Sequence, residues 1–192
     1  MDRYKKIVND YLELNKEERE KLSDVCDQLG NKDDISMIDR KNFIGHFTAS
    51  TFVISSTSKK LLMIHHKALD KYLQPGGHIE LSDANPLEGS KRELFEETGI
   101  DAKFLEYRCI NSLNPLVPLN ISVHIIPENL EKKEKAHYHY DLQYLFFARK
   151  ELRVNIDPDE VNSFEWIDLG KLEEMSEYKI IAEKIKTYGQ GA

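Results

Sequence analysis

Residues 74–100, QPGGHIELSDANPLEGSKRELFEETGI, decide how the chain is read, because they run from a glycine turn into a helix with an acidic face. Pro86 suits the first turn of a helix, and Asn85 is a good cap before it. Gly99 suits the left-handed residue that closes one. Between them, at about 100° per residue, Glu93, Glu96 and Glu97 fall within an arc of roughly 100°. Leu87 and Leu94, a heptad apart, share the adjacent face and can anchor the helix in a core. Like charges at this spacing destabilise an isolated helix, and near its C-terminal end they also oppose its dipole. A solvated acidic face accounts for such a cluster only by accepting those costs. A hard divalent cation, Mg²⁺ or Mn²⁺, accounts for it better, because it binds oxygen ligands and cancels the repulsion. Arg92 can supply a fixed cation to orient a neighbouring carboxylate. Gly89 costs up to about 1 kcal/mol relative to Ala inside a helix, which points to close packing of the backbone there.

Outward from this segment the period changes. Residues 46–55 and 60–66 read as two strands joined by a polar turn, and 101–113, 120–126 and 137–148 as further strands. Residues 128–136 form a charged loop, 163–169 a short strand, and the stretch after it one or two closing helices. At the other end Tyr4, Ile7, Val8, Tyr11 and Leu12 repeat at helical spacing, as do Leu22, Val25, Cys26 and Leu29. Asn15 is a candidate cap with Glu18 three residues on, and Gly30 a candidate stop. Residues 1–40 are therefore expected to form a helical extension, a hairpin packed on a domain spanning 41–192. The layout is α+β, a mixed sheet between helices.

With 192 residues, 40% hydrophobic and 32% charged, the chain has the composition of one ordinary globular domain with an extension. Its formal charge of −7 argues against a general nucleic-acid binder, so no stable nucleic-acid partner is expected. Two cysteines, Cys26 and Cys109, form no CxxC pair. They indicate neither a disulfide framework nor a zinc ribbon, and their apolar neighbours suggest buried thiols. No run approaches membrane-spanning length and no signal peptide is recognisable, so the cytoplasm is the expected compartment and no membrane partner is expected.

Gly77 followed by R-E-L-x-E-E-x-G-I at residues 92–100 resembles the signature of the Nudix hydrolases, G-x5-E-x7-R-E-U-x-E-E-x-G-U with U aliphatic. The order of strands from about 46 to 167 is similar as well. The resemblance implies an α/β/α sandwich and cleavage of a pyrophosphate bond in a nucleoside diphosphate linked to another group. It implies Glu93, Glu96 and Glu97 as metal ligands together with the Gly76 carbonyl, and Glu93 as the first candidate for the base that activates water. Some family members use an acidic residue of a later loop for that task. Glu93, Glu96 and Arg92 are thus the candidate catalytic residues. Homodimers are common in the family. Two departures stand out: Asp83 occupies the early Glu position, and eight residues rather than seven separate it from Arg92. Either Asp83 or Glu80 can serve in place of that Glu.

His137, His139 and Asp141 alternate, so on a strand they share a face. His139 and Asp141 are candidates to touch phosphate or a metal-bound water, and His78, beside the glycine pair, to lie near the substrate. The competing reading of the strand is a polar outer face, and a zinc site is disfavoured by the absence of a cysteine cluster. Tyr72 and Trp166 are candidates to stack on a base. Two other functions fit the same fold. A non-catalytic ligand sensor would be expected to have lost helix glutamates and to carry a DNA-binding extension. A diphosphate-binding isomerase would need a cysteine before the motif helix, and none lies between Cys26 and Cys109.

Overall fold

The computed structural model describes residues 3–130 and 133–189. Residues 131 and 132, within the charged 128–136 loop, lie outside the described residues, as do both extreme ends. Eight strands build one mixed sheet: β1 (Gly45–Ser55), β2 (Lys60–His66), β3 (Lys71–Leu73), β4 (Gly76–His78), β5 (Glu106–Tyr107), β6 (Asn120–Ile126), β7 (His137–Ala148) and β8 (Val161–Asp168). The two longest, β1 and β7, run parallel along their whole length from Gly45↔Tyr138 to Ser55↔Ala148. All other pairings are antiparallel. The first half of β1 pairs with β4 and its last residues with β2. β1 therefore changes partner along its length, with the glycines in its pairing with β4.

Helices cover both faces, and side-chain alternation along β1 and β7 shows how. Phe47, Ala49, Val53, Tyr140, Leu142, Tyr144 and Phe146 belong to one core cluster. It also takes the apolar stripes of α1 (Arg3–Leu14), α2 (Ser23–Asn31) and α3 (Pro86–Thr98). Phe52, Ile54, Leu145 and Phe147 face the other way. They meet α4 (Leu169–Leu172) and α5 (Lys179–Tyr188) in a second cluster. The expected α/β/α sandwich and N-terminal helices are present. Among the described residues no helix is long and apolar enough to cross a membrane.

The N-terminal helices share the first core: Tyr4 stacks on Phe47 with ring centroids 4.9 Å apart, and Gln28 donates to the Tyr140 hydroxyl at 2.6 Å. Local details differ from expectation. Asn15 makes no side-chain cap, and Gly30 lies inside α2, which ends at Asn31. Glu18 closes no capping box. It is buried instead, accepting from Tyr11 and Lys21, both at 2.8 Å, and from Lys184 of α5. Residues 101–113 do not form one strand. Asp101 accepts from the Lys103 amide at 2.9 Å and starts a 3-10 turn over Ala102–Phe104. Only Glu106–Tyr107 then pairs, with β7. The Asn111 side chain takes the amides of Leu113 and Asn114 at 3.0 and 3.3 Å, so local turns consume the donors a strand would need. Cys109 is exposed in this loop and Cys26 is half-buried, rather than both being buried.

Candidate active site

The motif helix is built as its sequence suggests. Asn85 accepts from the Glu88 amide at 3.0 Å, Pro86 opens the helix, and Gly99 closes it at φ 68°. α3 lays its acidic residues against the turn that leads into β4. At Gly76, φ is 157°, and an added Cβ would lie 2.3 Å from Ser50 Cβ and 2.5 Å from its Cα, so only glycine fits. An added Cβ at Gly77 would stand 2.7 Å from the Glu93 carboxyl. Two side-chain-free residues thus let backbone approach helix carboxylates that any larger residue would push away. The Gly76 amide uses this closeness to donate to Glu97 Oε2 at 2.8 Å.

Glu97 is only 2% exposed. Burial pushes its carboxyl up to about 8; the Gly76 hydrogen bond opposes the shift, and Glu93, Glu160 and Glu96 add to it. Burial likewise raises Glu93 to about 7 against the pull of Arg92. Glu96 is different: it is exposed and points its carboxylate at Arg92. Of the three glutamates, Glu97 is buried, Glu93 half-buried and Glu96 solvated.

Arg92 is the organiser. Its guanidinium donates to Glu93 at 3.0 Å, to Glu96 at 2.6 Å and to the His78 carbonyl at 2.8 Å, and grips both Asp83 oxygens at 3.1 Å. Burial would lower its pKa, but Asp83, Glu93 and Glu96 outweigh that and hold it raised. The early acidic position is therefore occupied by Asp83, whose shorter side chain reaches Arg92 and also accepts from the Glu80 amide at 2.8 Å. Glu80 is exposed. Gly89 has its explanation here too: a Cβ would lie 2.9 Å from Asp83 Oδ2. What crowds the helix is thus the Asp83 carboxylate rather than neighbouring backbone.

Strand register places the remaining candidates. Partners across a ladder share a face, so His46↔His139, Thr48↔Asp141 and Ser50↔Gln143 line one side of β1–β7, with His78 paired to Thr48. Asp141 is buried and accepts from Ser50 at 2.6 Å, Gln143 at 3.0 Å, and Thr48 and Gln74 at 3.2 Å. Through Gln74 it is tied to the glycine turn. His139 sits amid His46, His78, His124 and His137, at ring-centroid distances of 4.7–5.5 Å. Burial, then the surrounding histidines, lower its pKa to about 2, so it is neutral at pH 7. Neither His139 nor Asp141 contacts the glutamates directly. Tyr72 is bound to Ser163 and Glu165, and Trp166 packs against the first core.

Glu160 was not singled out by the sequence. It lies in the loop before β8, which is laced to the end of α3 by Asn155 N–H to Thr98 O at 2.8 Å and Asp157 N–H to Glu97 O at 3.2 Å. Its charge reaches both Glu93 and Glu97. The acidic run at 157–160, DPDE, was the available signal.

A mixed sheet between helices, with a glycine turn folded onto two helix carboxylates and an arginine clamp, defines a Nudix-type domain. The chain matches the NUDIX domain family over residues 45–187 and belongs to the Nudix hydrolase family. It is 40% identical over 86 residues to a probable DHNTP pyrophosphohydrolase of Lactococcus lactis subsp. cremoris (strain MG1363). That match spans 45% of this chain and 45% of that protein, so the chain aligns with about half of its relative's length. Among solved structures, the E. coli dihydroneopterin triphosphate pyrophosphohydrolase superposes with a TM-score of 0.55 at 14% identity, covering 76% of this chain and 96% of that one. A NUDIX-family hydrolase from Clostridium perfringens gives 0.54 at 21% identity, covering 74% and 97%. Both show the shared fold.

Proposed function

We propose that this chain hydrolyses a pyrophosphate bond in a nucleotide-like substrate with a bound divalent cation, Mg²⁺ or Mn²⁺. The observation that carries the reading is the pair of carboxylates, buried Glu97 and half-buried Glu93, held against a turn that only glycine can form. The donor set suits a hard cation: carboxylates supply oxygen ligands, and burial makes their charges costly until a cation compensates them. Glu93, Glu97 and the Gly76 carbonyl would hold the ion, with Glu96 reaching it or its water. When bound, it would neutralise phosphate charge and lower the pKa of an attacking water.

The chain's own groups do the positioning. Arg92 fixes Glu93 through Oε1, which leaves Oε2 to take a proton from that water. The Gly76 amide fixes Glu97, and Asp83 fixes Arg92 in turn. Glu160, in the loop before β8, is a second candidate base. His78, His139 and Asp141 stand on the sheet face beyond the turn, where they can meet the rest of the substrate. The L. lactis relative makes dihydroneopterin triphosphate the first substrate to try. The wider class is a nucleoside diphosphate linked to another group.

The test is a panel of dihydroneopterin triphosphate, (deoxy)nucleoside triphosphates, dinucleoside polyphosphates, ADP-ribose and nucleotide sugars, assayed with Mg²⁺ or Mn²⁺ for released phosphate species. At least one should turn over, and Glu97→Gln should remove that activity while the fold is kept. A Glu97→Gln protein that turns over at the wild-type rate ends this site assignment. A wild type inert toward the whole panel favours the ligand-sensor reading.

A further inference from the structure

The histidine cluster takes no part in the bond cleavage proposed above, and its chemistry differs from that of the glutamates. Ligand nitrogens of His46, His78 and His139 all lie within 4.8 Å of one another. The three residues come from three strands: β1 and β7 bring His46 opposite His139, and β4 brings in His78 one pair away. The sequence gives no hint of this, since the residues are spread over more than ninety positions and no ligand spacing links them.

Hydrogen bonding fixes how these rings present themselves. His46 Nδ1 lies 3.4 Å from the Asn42 carbonyl. A carbonyl only accepts, so the ring proton belongs on Nδ1, and Nε2 is left as a bare lone pair. That Nε2 is buried without a hydrogen-bond partner, in a residue with 0% exposure. An orphaned buried acceptor is unfavourable, and its presence asks for a donor or a cation. Beside it, His137 Nδ1 lies 2.7 Å from the Lys135 carbonyl and its Nε2 lies 3.2 Å from His139 Nε2. The same reasoning makes His137 Nε2 an acceptor that holds the His139 ring by its Nε2–H, leaving His139 Nδ1 as a second lone pair. A backbone carbonyl on the far nitrogen of an imidazole is the arrangement that orients histidines for metal binding.

We infer that His46, His78 and His139 form a second metal site, selective for a borderline transition ion such as Zn²⁺ rather than for Mg²⁺. Imidazole nitrogens suit Zn²⁺, and three of them leave a fourth position for water or an anion. Zinc–nitrogen bonds of about 2.0–2.1 Å set ligand nitrogens roughly 3.3 Å apart, so closure needs movements of about 1.5 Å at most, within reach of side-chain rotation. The site shares one element with the carboxylates. The His78 carbonyl accepts from Arg92, so an ion on the His78 ring would pin the same residue from its other side.

The test is titration of untagged protein with Co²⁺, read by visible d–d absorption, and with Zn²⁺ in competition with a chromophoric chelator, both in excess Mg²⁺ and without substrate. One ion should bind per chain. Glu97→Gln should leave that affinity unchanged, which separates this site from the carboxylates and from the fate of the hydrolase proposal. His46→Gln and His139→Asn should each weaken binding by 100-fold or more. His78→Gln, at a half-buried position, is the variant to rely on if the buried His46 substitution or the half-buried His139 substitution unfolds by circular dichroism. Absence of Zn²⁺ binding in the wild type overturns the inference. So does binding that survives the His78 substitution undiminished or disappears with Glu97→Gln.

Discussion

Replacing Glu97 by Gln should make the metal-free protein more stable while abolishing the proposed hydrolysis. The carboxyl is 2% exposed, and burial raises it from the ordinary 4.5 to about 8. A group whose folded pKa lies above its unfolded value favours folding below the unfolded value, and that advantage is lost as pH rises toward the folded one. The window is therefore pH 4.5 to about 8. At about 1.4 kcal/mol per pH unit for one retained proton, the loss by pH 7 is about 3 kcal/mol. Gln keeps an oxygen to accept from the Gly76 amide but carries no charge to bury. In chelator at pH 7 the variant should melt roughly 6–12 °C above wild type for a chain of this size, and the two should converge toward pH 4.5. Mg²⁺ should raise the wild-type melting temperature by linkage and leave the variant nearly unchanged. Thermal melts monitored by circular dichroism across pH 4.5–8, with chelator and with Mg²⁺, provide the measurement. If the variant melts at or below wild type at pH 7 in chelator, burial does not hold the proton on Glu97 as described here.

Three further outcomes follow from individual contacts. Arg92→Lys should lower kcat by roughly tenfold or more without unfolding the protein, because an ammonium cannot grip both Asp83 oxygens and the His78 carbonyl together; steady-state kinetics decide it. Gly89→Ala should destabilise despite the helix preference for Ala, since its Cβ would meet Asp83 Oδ2 at 2.9 Å. In an Asp83→Ala background the same change should stabilise by up to about 1 kcal/mol, which a double-mutant cycle in urea tests. Lys184→Met should cost about 2–3 kcal/mol in urea unfolding, because it leaves buried Glu18 with Lys21 as its remaining cation and removes the donor to Asn120 at 2.9 Å. A loss below about 0.5 kcal/mol would mean that this link between the N-terminal helices and α5 carries little.

The motif helix was legible from the sequence because everything that defines it is local. Asn85, Pro86 and Gly99 act within one turn of the ends they specify, and the 100° arc of Glu93, Glu96 and Glu97 follows from helical geometry. The long strands were legible for the same reason, from a period of two. The stretch 101–113 was misjudged because Asp101 and Asn111 offer the backbone nearby partners that strand propensity does not weigh. The charge pattern alone also could not show that Glu96 would be solvated while Glu97 is buried.

What only tertiary structure decided are the meetings between distant residues. Parallel pairing of β1 with β7 sets His46 beside His139, β4 delivers His78, and the loop before β8 brings Glu160 toward the carboxylates. Asp83, offset by one residue from the usual spacing, reaches Arg92 because the intervening loop folds back. The physical reason is one of range. Caps, turns and periodicity are fixed by neighbours a few residues apart, whereas register and loop closure are chosen by burial summed over the whole sheet, which no short window of sequence contains.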